Sequence, residues 1–211
     1  MKNYKTSKPI LMKKFTLFIL AISIFKISSG QLTKHNWLVG GNGFFNSTTY
    51  NNSAGVLGQK VTNIQLTPNI GYFIADKFAT GLKLGFGSSR YRLEGQNSLT
   101  KNTTYSFGPF VRYYFLPIKK QFNILIDGSY QYGIERGGGA SAPIGQPLDF
   151  SITQYEKNTF SISAGPVLYF NSSVGLEFLI GYTTSKYVKF GGNNNTLLVG
   201  IGLQVHLEKD K

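Results

Sequence analysis

Leu197-Leu198-Val199-Gly200-Ile201-Gly202-Leu203-Gln204-Val205-His206-Leu207 decides the fold class of this chain. Leu197, Val199, Ile201, Leu203, Val205 and Leu207 occupy alternate positions, with Leu198, Gly200, Gly202, Gln204 and His206 between them. Side chains on a strand point to opposite faces in turn, so this run reads as a strand with one apolar face and one that is mostly small or polar. Back to Trp37 the same alternation recurs in eight runs, and the apolar set stays uncharged in all of them.

The other runs cover about Asn36–Ser47, Val61–Ile74, Phe78–Gly87, Tyr105–Phe115, Asn123–Gly133, Phe160–Phe170 and Val174–Thr183. Short links at Ala75-Asp76-Lys77, Pro117 to Gln121 and Asn171-Ser172-Ser173 alternate with longer polar stretches rich in Gly and Asn. These run near Ser47 to Gln59, Glu94 to Asn102, Gly137 to Phe150 and Lys186 to Asn195. Short turns on one side and long loops on the other are the pattern of a strand barrel crossing a membrane. The predicted fold is all-β: an eight-stranded antiparallel up-and-down transmembrane β-barrel. Thr67-Pro68, Gly108-Pro109 and Gly165-Pro166 fall at matching places in the second, fourth and sixth strands. Proline cannot donate to a ladder, so outward bulges or bends are expected there.

The chain has 211 residues, one Trp, 13 Tyr, 17 Phe, 25 Gly and no Cys. Its mean hydropathy is close to neutral, too polar for a bundle of membrane helices. The apolar stretch Phe15–Ile27 follows Lys13-Lys14 and precedes Ser28-Ser29-Gly30, the layout of a cleaved secretory signal. It falls short of the ~20 residues that a helical span needs. Residues 1–30 are therefore read as an N-terminal extension plus signal, with Met12 the more natural start, and residues 31–211 as the barrel domain. Removing residues 1–30 removes six Lys and no acid, lowering the formal charge from +13 to +7. The remaining cations form no basic helix and no run interleaved with aromatics, so nucleic acid is not an expected partner. Without Cys, and with only His35 and His206, no metal site or cofactor is expected either. Gly137-Gly138-Gly139 lacks the Lys-Ser/Thr and helix of a phosphate-cradling loop.

The stretch P-N-I-G-Y-F-I-A-D-K-F-A-T-G from Pro68 to Gly81, the stretch G-P-F-V-R-Y-Y-F from Gly108, and the alternating last strand carry a family resemblance. The chain resembles the small outer-membrane β-barrel family, the group around outer-membrane proteins A and X. The resemblance spans the mature chain and implies a monomer in the outer membrane of a Gram-negative bacterium. It also implies insertion by the barrel machinery and contact with outer-membrane lipid and lipopolysaccharide. One departure is the ending Glu208-Lys209-Asp210-Lys211, where family members usually finish on an aromatic residue.

Strand parity turns Lys83, Arg112, Asp127 and Glu177 inward. An eight-strand barrel is filled by its side chains, so these four are expected to form an interior ion-pair cluster. Tyr72, Phe73, Phe78, Tyr113, Phe115, Phe122 and Phe170 near the short turns are expected to form one interfacial girdle. Tyr105, Tyr130, Tyr132, Tyr182 and Tyr187 near the loops are expected to form the other. Lys60, Arg90, Arg92, Lys101, Arg136, Lys157, Lys186 and Lys189 face only Glu94, Glu135, Asp149 and Glu156 near the long-loop rim. From these, Arg90, Arg92, Lys101, Lys186 and Lys189 are the candidate residues for lipid phosphates.

Some barrels similar to this one modify lipid A with a serine, a histidine and an acid near the loops. Here both His fall near the short turns, away from that leaflet. His206 with Glu177, Ser161 and Ser163 is read as a hydrogen-bonded interior His rather than as a catalytic set. The expected function is non-enzymatic: an envelope-structural role, or recognition and adhesion through the loops. Two alternatives are a lipid A-modifying enzyme and an exported soluble barrel of the lipocalin kind, which would turn the Leu197 to Leu207 face inward.

Overall fold

The computed structural model describes residues 32–50, 58–93, 99–118, 120–141, 149–189 and 193–207. The expected signal, Glu94 and the tail from Glu208 lie outside these residues. Eight strands follow one another: β1 (Trp37–Tyr50), β2 (Gln59–Ala75), β3 (Phe78–Leu93), β4 (Leu99–Tyr114), β5 (Phe122–Ser141), β6 (Asp149–Tyr169), β7 (Val174–Tyr187) and β8 (Asn193–Leu207). Each pairs antiparallel with its neighbours in sequence, and β8 pairs back onto β1, closing the barrel.

Closure satisfies every strand edge, and that allows the outer face to be apolar. Val199 is 65 % exposed, Ile180 63 % and Phe107 60 %, whereas Lys83, Arg112, Asp127 and Glu177 are each 5 % exposed or less. A water-soluble ligand-binding barrel has the opposite arrangement, so the lipocalin alternative is overturned. The apolar belt runs from Phe115, just past the end of β4, up that strand to Tyr105, and on β8 from Leu207 to Leu197. At ~3.3 Å per residue and a tilt near 40° this is about 25 Å tall, the thickness of the hydrocarbon layer of an outer membrane. The outer surface is that of a membrane-spanning barrel.

Strands outlast the alternation that announced them. β5 continues to Ser141 and β6 starts at Asp149, so half of the stretch predicted as a Gly137 to Phe150 loop is paired strand. The stretches predicted as loops near Ser47, Glu94 and Lys186 are likewise shortened by paired residues. Beyond the belt both faces meet water, so no apolar period marks the strand while the ladder continues.

The three prolines point outward, but none makes a bulge. The register runs through Pro68 unchanged, from Leu66↔Phe86 to Asn69↔Lys83. It does the same around Pro109 and Pro166. Each residue of an antiparallel ladder bonds to one neighbour only, so a proline interrupts one seam and leaves the other intact. At Gly108 and Gly165 a Cβ would collide with the carbonyl oxygens of Tyr130 and Phe178 across the same seams, which explains the Gly-Pro pairing. The register shift on this side lies instead between Phe73 and Ala75, beside the turn where Lys77 takes a φ of 64°.

The segment before β1 folds into the short-turn mouth. Leu32 is fully buried, and its carbonyl accepts from the Lys77 amide at 2.7 Å. The His35 amide donates to Phe73 O at 2.9 Å, and the Lys34 amide to Asp76 Oδ1 at 2.8 Å.

Candidate functional site

The interior is stacked in three layers. Nearest the short turns, Leu32, Leu38, Phe73, Tyr114, Leu125 and Val167 belong to an apolar plug. Phe73 is therefore inside, not in the girdle where it was expected, because it falls on the opposite parity from Tyr72. His206 belongs to this layer and is 1 % exposed. Its ring lies 5.6 Å from those of Phe73 and Tyr169 and 6.1 Å from that of Tyr114. Neither ring nitrogen has a hydrogen-bond partner among the described residues, which corrects the expectation of a hydrogen-bonded His. Parity placed it inward, but its depth put it among rings and not among polar groups.

Above the apolar plug lies the charged layer. Asp127 stands directly opposite Arg112 on the β4–β5 ladder and accepts from its Nε at 3.0 Å. Lys83 Nζ pairs with the other carboxylate oxygen of Asp127. Arg112 Nη1 reaches across the interior to Glu177 Oε1 at 2.8 Å, and Asn42 Nδ2 donates to Glu177 Oε2 at 2.8 Å. The Phe110 ring sits 5.1 Å from the Lys83 ammonium and 5.9 Å from the Arg112 guanidinium. Two cations and two anions thus form a neutral alternating chain that ties β3, β4, β5 and β7 together, with Asn42 adding β1. In a layer this dry an ion without its counter-ion costs several kcal/mol, so the four act as one unit.

The third layer, at the loop end, is a cup of about 140 Å³ lined largely by hydroxyls and amides, among them Ser89, Thr104, Ser106, Thr159, Thr183 and Asn194. On its wall Lys157 Nζ pairs with Glu135 Oε2 at 2.6 Å, and Asn102 Nδ2 donates to Glu135 Oε1 at 2.9 Å. The Tyr187 hydroxyl also points at this carboxylate. Glu135, Lys157 and Tyr187 were expected on the rim or girdle and are found inside. The signal was available: Glu135 continues the inward series Asp127, Ser129, Gln131, Gly133, and Lys157 that of Thr159 and Ser161. Their distance from the apolar belt hid it.

On the outer face just past the belt, Lys60 stands directly opposite Arg92, and Arg90 opposite Lys101. Arg136 lies opposite Thr103 on the next seam, and its Nε donates to Gln154 Oε1 at 3.1 Å. Lys186 sits on β7 opposite Asn193, with Lys189 in the turn beyond it. The structure gathers Arg90, Arg92 and Lys101 into one patch and leaves Lys186 and Lys189 on the other side of the barrel.

The catalytic alternative finds no assembled set among the described residues. Ser161 Oγ is 3.1 Å from Thr183 Oγ1, Glu177 is engaged by Arg112 and Asn42, and His206 is enclosed by rings. No group of three His, Cys, Asp or Glu side chains among the described residues is placed to hold a metal ion.

No family model matches the chain. No curated protein sequence matches it either. Among solved structures, the outer membrane protein OprG from Pseudomonas aeruginosa superposes with a TM-score of 0.52 at 13 % identity, over 84 % of this chain and 98 % of that one. Neisserial surface protein A gives a TM-score of 0.45 at 14 % identity, over 86 % and 99 %. The attachment invasion locus protein Ail of Yersinia pestis gives 0.40 at 14 %, over 82 % and 99 %. At these identities the likeness concerns the path of the backbone, which OprG and this chain share over nearly the whole of OprG. With its closed ladder of eight antiparallel strands and its lipid-facing belt, the chain has the fold of the small outer-membrane β-barrels.

Proposed function

We propose that this protein is a non-enzymatic barrel of the Gram-negative outer membrane that acts through its outward end, as an envelope-stabilising or surface-recognition element. The observation that carries this reading is the stacking of two plugs below the cup. The fully buried ring of Phe73 and the fully buried Arg112–Glu177 pair occupy successive levels of the same narrow interior. An eight-strand barrel has little room beyond its side chains, so a filled middle leaves no path for solutes. The second support is the height of the outward sheet. β5 and β6 stay paired for nine residues past Tyr132, as far as Ser141↔Asp149, which is about 30 Å of ladder at ~3.3 Å per residue. A rigid sheet held above a membrane suits recognition at the cell surface.

The test combines two measurements on the refolded protein. Gel mobility before and after boiling reports the closed barrel, and planar-bilayer recording reports conduction. The expected result is a heat-modifiable band and no steady conductance. A folded protein with a stable ohmic channel would overturn the plugged-interior reading, and recovery of the native protein in the soluble periplasmic fraction would overturn its location.

A further inference from the structure

We propose that the outer wall of β3, β4 and β5 is a binding site for one phosphorylated, acylated glycolipid of the outer leaflet. The inference rests on the outer-membrane reading above. The acyl half of the site is a furrow of about 350 Å³, bordered by Leu84, Phe86, Tyr105, Phe107 and Tyr132. It lies on the lipid side: Phe86, Tyr105 and Phe107 are 45–60 % exposed. Its floor lies at Gly85 and Gly133, whose side-chain positions face inward, so the backbone itself is the base.

The phosphate half stands directly above. From Phe86 to Arg90 is four residues along β3, about 13 Å of strand and about 10 Å of height once tilt is allowed for. A headgroup layer is about 5–8 Å deep, so the flexible Arg90 side chain reaches back to its phosphates from this height. Two like-charge pairs, Lys60↔Arg92 and Arg90↔Lys101, face each other on neighbouring seams of this patch. Directly opposed like charges destabilise a ladder, so the arrangement is unfavourable in isolation and becomes favourable with an anion between them. Among the described residues none of these four cations has a carboxylate partner. Glu156, on β6, is the described acid at the border of this face, and it interacts with the Tyr132 hydroxyl. Arginine guanidinium groups bind phosphate through two parallel N–H donors, which suits Arg90 and Arg92 to the role. The furrow spans β3 to β5 and the cation cluster β2 to β4, so they share β3 and β4, with the cations nearer the loop ends, and an occupant that fills both carries acyl chains and phosphate.

The probe is hexa-acylated bisphosphoryl lipid A, titrated into the detergent-solubilised, heat-modifiable full-length barrel and read by native mass spectrometry and by the unfolding temperature. Wild type is expected to bind it and to unfold at a higher temperature with it. Arg90→Gln/Lys101→Gln is expected to weaken binding about tenfold or more, since two charge-assisted contacts are lost. Lys186→Gln/Lys189→Gln is expected to bind as wild type does. The gel shift on boiling confirms that each variant is folded. Equal binding by the Arg90/Lys101 variant overturns the proposal. So does equal binding of dephosphorylated lipid A, or full competition by millimolar inorganic phosphate, which would mark a free-anion site. Membrane fractionation reads the location of the protein separately, so failure there is not confused with failure of the lipid site.

Discussion

The protein carries two clusters of charge that obey opposite rules. Inside, Lys83, Asp127, Arg112 and Glu177 alternate in sign, and every charge meets its opposite. Outside, Lys60, Arg92, Arg90 and Lys101 share one sign and face each other across the ladder. The difference follows from solvent. The interior cluster is buried away from bulk solvent, so neutrality must be built in; the rim is exposed, so it can hold an excess that a ligand neutralises.

Arg112→Met breaks the interior pattern most severely, because it leaves Glu177 with no cation and Asp127 with Lys83 alone. A loss of about 3–5 kcal/mol is expected in the stability of the folded barrel, read from urea or heat titration of the boiling-sensitive gel band. Removing Lys83 and Asp127 together is expected to cost less than removing Asp127 alone, as a double-mutant cycle would show. A neutral cost for Arg112→Met would mean that the quartet is not a unit.

Gly108→Val acts on the wall that separates the two clusters. Its new side chain meets the Tyr130 carbonyl, and a loss of about 1–3 kcal/mol is expected, with a slower appearance of the folded band. In the cup, Lys157→Met leaves Glu135 with Asn102, Thr104 and Tyr187 still around it. About 1 kcal/mol is expected there, less than in the dry layer below.

The smallest effect belongs to the rim. Arg90→Gln/Lys101→Gln in lipid-free detergent is expected to shift stability by no more than about 0.5 kcal/mol. Salt sharpens the comparison. Raising NaCl to about 1 M, where the screening length falls to about 3 Å, should stabilise wild type slightly by damping the rim repulsion, and should stabilise the Arg90/Lys101 variant less, because only the Lys60↔Arg92 pair remains. The cost of Arg112→Met should not depend on salt. An Arg112→Met cost that shrinks with salt would show water reaching the interior quartet.

How far the fold was legible depended on whether the membrane wrote it into the sequence. Within the belt, hydrocarbon forces an apolar residue at every second position, so Leu197 to Leu207 could be read at sight. Above the belt that pressure is absent, and the last residues of β5 and the first of β6 looked like loop although they pair. The prolines misled for a related reason: local chemistry says that a donor is missing, but only the ladder says which seam misses it. The interior quartet was legible as four inward residues. Its pairing was not, because Glu177 reaches Arg112 across the enclosed space and not along any strand pair.

Alternation is a local property of a strand, fixed by the side-chain period of two, and it settled the number of strands, the lipid-facing set and the inward direction of Lys83, Arg112, Asp127 and Glu177. Height within the barrel and position around it are not local, since they follow from register and closure. Only the tertiary structure therefore decided that His206 lies among aromatic rings, that Glu135 and Lys157 meet inside the cup, and that Arg90 and Lys101 form one patch while Lys186 stands apart from them.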